Sequence, residues 1–157
     1  DLPRFFMGDV DTVSAECVSC GAGLDGYAIT LRFVSGALGL ININCLESNF
    51  TNWSERLSIS GVGSSLHVEN WRRVIAFVAG EQEMRYWEPE DIQPTDAANS
   101  LNLHGFVGEV QDFVTSVATN SVSRSTLQDG IESVRLQEAI ELSVASGRRV
   151  ELKEIRQ

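Results

Sequence analysis

The sequence has few cysteines, few basic residues and no long apolar run. Three cysteines in 157 residues are too few for a disulfide scaffold, and their odd number indicates a reducing compartment, so we expect a cytoplasmic protein. The 12 basic residues are outnumbered by 22 acidic ones, which gives a net charge of -10. Nucleic-acid binding needs a basic face, and a membrane span needs roughly 20 consecutive apolar residues. The sequence therefore predicts neither a nucleic-acid partner nor a membrane partner.

Two of the cysteines, Cys17 and Cys20, form a C-x-x-C motif. A structural zinc site needs four ligands, usually from two such pairs. Only Cys45, His67 and His104 remain as further ligands, and they contain no second pair. On a strand, residues three positions apart also face opposite sides of the sheet. We therefore predict no metal site.

The segment Gly21 to Gly26 matches the dinucleotide-binding pattern G-x-G-x-x-G, and Glu47 lies about where a ribose-binding carboxylate would be expected. That pattern holds a pyrophosphate only when its last glycine opens a helix. Here Gly26 leads into Tyr27 to Phe33, an alternating segment of residue types that favour strands. We interpret the glycines as a hairpin loop and predict that the chain itself binds no cofactor.

Most of the first two-thirds of the chain predicts strands. Residues 1–8 are typical of a helix end that Gly8 stops. The clearest strand is 27–34, whose large apolar residues face one side while Ala28, Thr30 and Arg32 face the other. The predicted strands are 9–20, 27–34, 38–46, 56–60, 64–69, 74–78 and 81–87.

The last third of the chain changes to a helical period. Apolar residues recur at three and four positions from Leu103 to Val117. A second helix follows, which starts at Ser125 or Thr126 with Asp129 placed to complete a capping box. A short final strand comes after it. The inner face of the second helix is predicted to include Leu127, Ile131, Val134 and Leu142.

This order of elements predicts the fold class. Strands segregated from helices favour α+β, as an open, mostly antiparallel sheet with helices packed on one face. A chain of 157 residues, 43% of them apolar, fits one domain over 1–157 with a core of its own.

Five residues are candidates for substrate binding. Trp53 lies in a polar loop, where it either lines a sugar pocket or anchors the loop. Asn42 and Asn44 share a strand face, with Arg32 nearby across the hairpin, and this polar face suits a polyol, a wet subunit contact or bulk solvent. His104, at the start of the first long helix, either faces a pocket or is structural.

Three segments carry a resemblance to a known family. Residues 1–8 contain D-L-x-R-F-x-x-G, residues 28–37 read A-I-T-L-R-F-x-x-G-A, and the helix pair Phe106 to Val150 contains D-G-I and E-A-I and ends in S-G-R-R-V. In order and spacing they resemble the C-terminal half of the glucose-fructose oxidoreductase / inositol dehydrogenase (Gfo/Idh/MocA) family. The resemblance implies a dihydrodipicolinate-reductase-like C-terminal domain, covering nearly the whole chain.

The same resemblance implies a parent enzyme, an NAD(P)-dependent oxidoreductase that acts on a sugar, polyol or related alcohol. Its Rossmann domain, which holds the cofactor and a catalytic lysine, is absent from this chain. Its catalytic Asp and His lie on a helix that Asp1 ends, so this chain contains no catalytic residue and is expected to be inactive alone. Since the sequence lacks an initiator Met, we expect it to begin inside a longer protein.

The implied partners are its own N-terminal Rossmann domain and further copies of the same subunit, bound through the sheet face away from the helices. The alternative is a stand-alone binding or oligomerisation module with the same fold and no catalytic role. The residues that precede Asp1 decide between the two, because only the enzyme has a Rossmann domain there.

Overall fold

The computed structural model describes residues 2–19, 21, 25–44, 55–70, 73–88 and 105–155. The chain divides into two compact units, Asp1–Ser48 with Arg124–Gln157, and Asn49–Ser123. Within the described residues each unit has its own four-stranded sheet, and every strand pairing is antiparallel. The predicted α+β class is therefore confirmed, with the strands divided between two open sheets.

The described elements follow the predicted order of strands before long helices. They are α1 (Leu2–Met7), β1 (Val10–Ser19), β2 (Asp25–Phe33), β3 (Leu38–Asn44), β4 (Arg56–Gly61), β5 (Ser64–Glu69), β6 (Arg73–Phe77), β7 (Arg85–Trp87), α2 (Phe106–Thr119), α3 (Leu127–Ser146), β8 (Val150–Glu151) and a 3-10 turn (Leu152–Glu154). The helix predicted to end at Gly8 is α1, and Gly8 stops it with a φ of 81°, a left-handed conformation that favours glycine.

The sheet of the first unit has the strand order β3-β2-β1-β8. Ile29, Leu31 and Phe33 of β2 are buried on one face, which confirms the alternation predicted for 27–34. On β1, Val13 lies opposite Leu31 and Ala15 opposite Ile29, so the buried residues of both strands meet on this face. Burial of these side chains supplies the main stabilisation of the unit.

Gly39 on β3 makes room for the largest core side chain. It lies opposite Leu31, and a Cβ added to it would come within 3.0 Å of the Phe33 ring. That distance is tighter than most side-chain contacts, so the Phe33 ring would have to move by a few tenths of an ångström to admit a larger residue at this position.

Helix α3 packs on the buried face of this sheet through small residues. Ala139 and Ser143 are buried, and Leu136, Ile140 and Val144 pack against the same core. The predicted inner face was wrong for Leu127, Val134 and Leu142, which are 84%, 55% and 36% exposed, while Ile131 is half-buried outside this core. The helix has two apolar faces, and the one with small residues faces the sheet because it allows a closer approach.

Ser143 completes the edge of the sheet where β8 ends. Continuing the β1–β8 register places Arg148 opposite Ala15, but β8 covers only two residues. The Ser143 hydroxyl fills this position, since it accepts from the Ala15 N–H at 3.0 Å and donates to the Arg148 carbonyl at 2.6 Å. A helix side chain thus satisfies two backbone groups that a longer strand would have paired.

The sheet of the second unit has the order β4-β5-β6-β7. The predicted hairpin around Gly63 is confirmed, and that glycine has a φ of 72°. The strand predicted over 81–87 is shorter than expected, because the turn at Gly80 continues to Met84 and only Arg85–Trp87 pairs.

Helix α2 begins at Phe106, after Gly105 in the left-handed conformation, rather than at Leu103. Residues 101–104 lie outside the described part of the chain. Its apolar stripe has the predicted helical spacing, and Val110, Phe113 and Val117 on it are exposed. Among the helices that the structure describes, none is both long and apolar enough to cross a bilayer.

Candidate functional site

Three predicted substrate-binding residues lie on the outer face of the first unit's sheet, opposite the core. Arg32 pairs with Leu38, Asn42 with Ala28, and Asn44 with Gly26. Asn42 lies four residues from Leu38 along β3, so Arg32 is about 13 Å from it along the strands. The three side chains share a face, as predicted, but Arg32 does not form one cluster with the two asparagines.

The space between them is apolar. Leu40, opposite Thr30, is 85% exposed, and Leu38 is 66% exposed. Val18 on β1 is also exposed and points to the same side, by its register opposite Gly26. This outer face, defined by Val18, Arg32, Leu38, Leu40, Asn42 and Asn44, therefore combines polar ends with exposed apolar side chains.

Two further candidates, Trp53 and His104, lie outside the described residues, and their roles stay predictions. Cys20 and Cys45 also lie outside the described residues, while Cys17 is exposed with a free thiol. In the ranges that the structure describes, no three His, Cys, Asp or Glu side chains are grouped as metal ligands.

The glycine-rich segment does not fit a dinucleotide within its described residues. Gly26 lies inside β2, where it pairs with Val18 and Asn44, so the chain continues as a strand and offers no helix N-terminus to a pyrophosphate. The hairpin between β1 and β2 is confirmed by the pairing of Ser19 with Asp25. No step of a reaction is assigned to a cofactor on this segment.

Sequence reasoning missed that His67 has a serine neighbour. Ser58 on β4 lies directly opposite His67 on β5, and its Oγ is 3.1 Å from the ring Nδ1. The contact is exposed and links two neighbouring strands. A side-chain contact between directly opposite residues of two strands is typical of sheet stabilisation.

A group of linked polar side chains in the first unit joins α1 to the start of α3. Arg4 Nε donates to Asp9 Oδ1 at 2.9 Å, and its Nη1 donates to Asp129 Oδ1 at 2.5 Å. Asp129 Oδ2 accepts from the backbone N–H and hydroxyl of Thr126, at 2.8 and 2.7 Å. The Thr126 hydroxyl in turn accepts from the Asp129 N–H, which confirms the capping box predicted there.

This group perturbs the ionisation of its members. Hydrogen bonds from Arg4, and then from the Thr126 hydroxyl and N–H, hold the pKa of Asp129 well below its ordinary value. The two carboxylates, Asp129 first, raise the pKa of Arg4. Both groups are therefore charged throughout the physiological pH range.

An open cleft of about 390 Å³ lies beside Arg4. Arg135, on its wall, donates from Nη1 to both Glu132 oxygens at 3.0 Å and from Nη2 to the Leu152 carbonyl, also at 3.0 Å. Three positive and three negative side chains line the cleft, so it has no excess charge to select an ion. Its lining includes Arg4, Asp9, Asp11, Gln128, Glu132, Arg135 and Lys153.

The Asp129 contacts predict a pH dependence. A carboxyl group whose pKa is lower in the folded chain stabilises the fold above its ordinary pKa, and this contribution is lost as pH falls towards the folded pKa. We expect Asp129→Asn to lower the free energy of unfolding at pH 7, and this difference from wild type to shrink as pH falls below the ordinary value of 3.8. Urea unfolding at a series of pH values measures it.

The control for this pH series is Ser146→Ala, which removes an exposed hydroxyl that bonds only within α3, to the Leu142 carbonyl. Its difference from wild type should stay constant over the same pH values, since no carboxyl group is involved. A difference for Asp129→Asn that also stays constant from pH 7 to pH 2 would contradict the prediction.

The fold defines the class of protein. It is a small antiparallel sheet with a long helix on one face, after an N-terminal helix end, and residues 1–152 match the family described as oxidoreductase family, C-terminal alpha/beta domain. The chain belongs to that family, the Gfo/Idh/MocA oxidoreductases, as its three sequence segments indicated. No curated protein matches the chain.

Solved structures share this fold at low sequence identity. An oxidoreductase from Agrobacterium radiobacter, in complex with NAD+, L-tartaric acid and magnesium, is 19% identical with a TM-score of 0.82, over 99% of this chain and 47% of its own. An oxidoreductase domain protein from Kribbella flavida is 22% identical with a TM-score of 0.79, over 100% and 48%. An aldose-aldose oxidoreductase from Caulobacter crescentus, complexed with glycerol, is 17% identical with a TM-score of 0.69, over 95% and 43%. The chain thus spans about half the length of the structures it matches.

Proposed function

We propose that this chain is the C-terminal domain of an NAD(P)-dependent oxidoreductase that acts on a sugar, polyol or related alcohol. The observation that carries the proposal is the family match over 1–152 in a chain about half as long as its structural neighbours. One of those neighbours is in complex with NAD+ and L-tartaric acid, and another is an aldose-aldose oxidoreductase. In this proposal the cofactor belongs to an N-terminal Rossmann domain, and this chain supplies part of the substrate pocket, with Trp53 and His104 as candidate contacts.

The exposed apolar residues of the first unit support an N-terminal partner domain. On α1, Phe5 is 77% exposed and its ring meets the exposed Phe6 ring edge-on, at 5.1 Å between centroids. The outward face of α3 carries the exposed Leu127 and Val134. Exposed apolar groups of this size mark contact surfaces. In the proposal α1 is the last part of the catalytic helix, which continues towards the N-terminus beyond it, and the Rossmann domain covers these residues.

Thermal shift and turnover test the proposed activity. We expect the full-length protein that contains this chain to be stabilised by NAD or NADP and to oxidise at least one member of a sugar and polyol panel. The chain Asp1 to Gln157 alone should show no shift with either cofactor, because its glycine-rich segment leads into a strand. A full-length protein that neither binds a dinucleotide nor turns over any panel member would contradict the proposal.

We also propose that the outer face of the first sheet forms a contact between subunits. Its exposed Leu38 and Leu40 support this, because monomers seldom leave such side chains uncovered together. We expect Leu40→Glu in the full-length protein to lower the oligomeric state measured by light scattering, since a buried charge there would have no partner. Val62→Glu, in the exposed β4–β5 turn, is the control and should change nothing. A wild-type monomer at high concentration would contradict the proposal.

A further inference from the structure

Arg4 joins α1 both to the segment that follows it and to the start of α3. Its Nε faces Asp9, just after the Gly8 turn, and its Nη1 faces Asp129, in the first turn of α3. Both directions use the flat guanidinium group, whose donors point along fixed lines in one plane. Asp129 is itself fixed by the two bonds from Thr126, so Arg4 binds an acceptor that cannot easily move.

Few other contacts hold α1 in place. None of its residues is buried, and a helix of six residues is unstable in isolation. Met7 packs partly against the core, and Gly8 joins α1 to β1 through a left-handed turn. On either side of that turn the chain is bonded to the β2–β3 hairpin, since the Ser35 hydroxyl donates to the Met7 carbonyl at 3.5 Å and the Val34 N–H donates to the Asp9 carbonyl at 2.9 Å. Without the Arg4 ion pairs, Gly8 is the point about which α1 would swing, because Arg4 lies one turn before it.

The size of such a swing determines how far groups on the helix would be displaced. A helix of six residues is about 9 Å long, so a rotation of about 20° at Gly8 would move the start of α1 by about 3 Å. Residues further towards the N-terminus on the same helix would move more. A misplacement of about 1 Å can lower a rate about 100-fold, so the direction of α1 has consequences for any reacting group upstream on it.

We propose that Arg4, bound to Asp129, is a positioning residue that sets the direction of the catalytic helix that α1 ends. This inference rests on the proposed function, because it takes α1 to continue into the catalytic helix. Arg4 acts through the helix and is not a catalytic residue. The Thr126–Asp129 box then has two roles, since it caps α3 and also provides the fixed acceptor for Arg4.

Two variants of the full-length protein break the pair in different ways. Arg4→Met keeps most of the aliphatic stem and removes both ion pairs. Asp129→Asn removes the charge facing Arg4 but keeps an oxygen that accepts from the Thr126 N–H, so the helix cap survives. The matched control is the pair Arg148 and Glu154, whose two bonds of 3.1 and 2.7 Å join the end of α3 to the final turn.

The first measurement is hydrogen exchange of the α1 amides. Gly8 N–H donates to the Arg4 carbonyl at 2.9 Å, so this amide reports on whether the last turn of α1 stays formed, and a six-residue helix that has lost its ion pairs should unfold more often. We expect the amides from Phe5 to Gly8 to exchange about ten-fold faster or more in Arg4→Met and in Asp129→Asn. Arg148→Met should leave their exchange as in wild type. Unchanged α1 exchange in both pair variants would overturn the inference, whatever the enzyme's activity.

The second measurement is turnover per folded subunit. We expect kcat to fall about ten- to a hundred-fold in Arg4→Met and Asp129→Asn, with KM changed by less than about two-fold, because the reacting groups lose alignment while substrate binding is retained. The double variant should lose no more kcat than the less active of the two single variants, because both changes remove the same interaction. Arg4→Lys, which keeps one charged contact, should recover part of kcat, while Glu154→Gln should keep the wild-type kcat.

The outcomes separate the two proposals. If the wild type is active and the pair variants have the same kcat per folded subunit, the positioning role is wrong and the proposed function stands. If the wild type turns over no substrate with either cofactor, the proposed function is wrong and the positioning role falls with it. A lower melting temperature with unchanged kcat would likewise reduce Arg4 to a purely structural residue.

Discussion

Replacing Leu31 by alanine should lower the free energy of unfolding by about 2–5 kcal/mol, the range for large aliphatic residues deleted from a packed core. Leu31 is fully buried at the centre of the first sheet, with Val13 opposite it on β1. Its other neighbour, Gly39 on β3, has no side chain that could move into the cavity. Collapse of the site is therefore limited, and the loss should lie in the upper half of that range.

Urea unfolding of the chain measures this loss, with Leu127→Ala as the control. That variant removes the same atoms from a leucine that is 84% exposed, so it should change the free energy of unfolding by less than about 0.5 kcal/mol. Equal losses in the two variants would contradict the burial that places Leu31 in the core.

The core strands could be predicted from the sequence because their burial follows a local rule. Successive side chains of β2 point to opposite faces, so the alternation from Tyr27 to Phe33 marks the core face without any knowledge of the partners. The same rule places Arg32, Asn42 and Asn44 on one face. It does not give the register between β2 and β3, and the register is what separates Arg32 from the asparagines.

The face of α3 could not be predicted in this way. Large apolar residues occur on two sides of the helix, and hydrophobicity favours the side of Leu127 and Val134. The helix packs on the sheet through the side that carries Ala139 and Ser143, because the distance between helix and sheet depends on the shapes of both surfaces. Only the tertiary structure contains that information.

Of the bonds around Arg4 and Asp129, some follow from local sequence and one depends on the tertiary structure. The bonds between Thr126 and Asp129 span three residues, so the sequence pattern predicts them. The bond between Arg4 and Asp129 spans 125 residues. No local pattern signals it, and it follows only from the position of α1 beside the first turn of α3.

Ser143 carries the second large predicted effect. Ser143→Ala should lower the free energy of unfolding by about 1–3 kcal/mol, the cost of one buried backbone group left without a partner. That group is the Ala15 N–H, which donates to the hydroxyl at 3.0 Å, whereas the Arg148 carbonyl, which accepts from it at 2.6 Å, belongs to an exposed residue and can bond to water instead. Alanine has the higher helix propensity, so the helix itself would favour the change by a few tenths of a kcal/mol.

Ser146→Ala separates the bridge from helix propensity. Ser146 lies one turn further along α3, is exposed, and donates only to the Leu142 carbonyl of its own helix. That variant should be as stable as wild type or slightly more so. The Ala15 amide gives a second measurement, because in Ser143→Ala it loses its acceptor and should exchange with solvent about ten-fold faster or more. Equal stabilities of the two serine variants, together with an unchanged Ala15 exchange rate, would mean that β8 or α3 shifts to pair these groups directly.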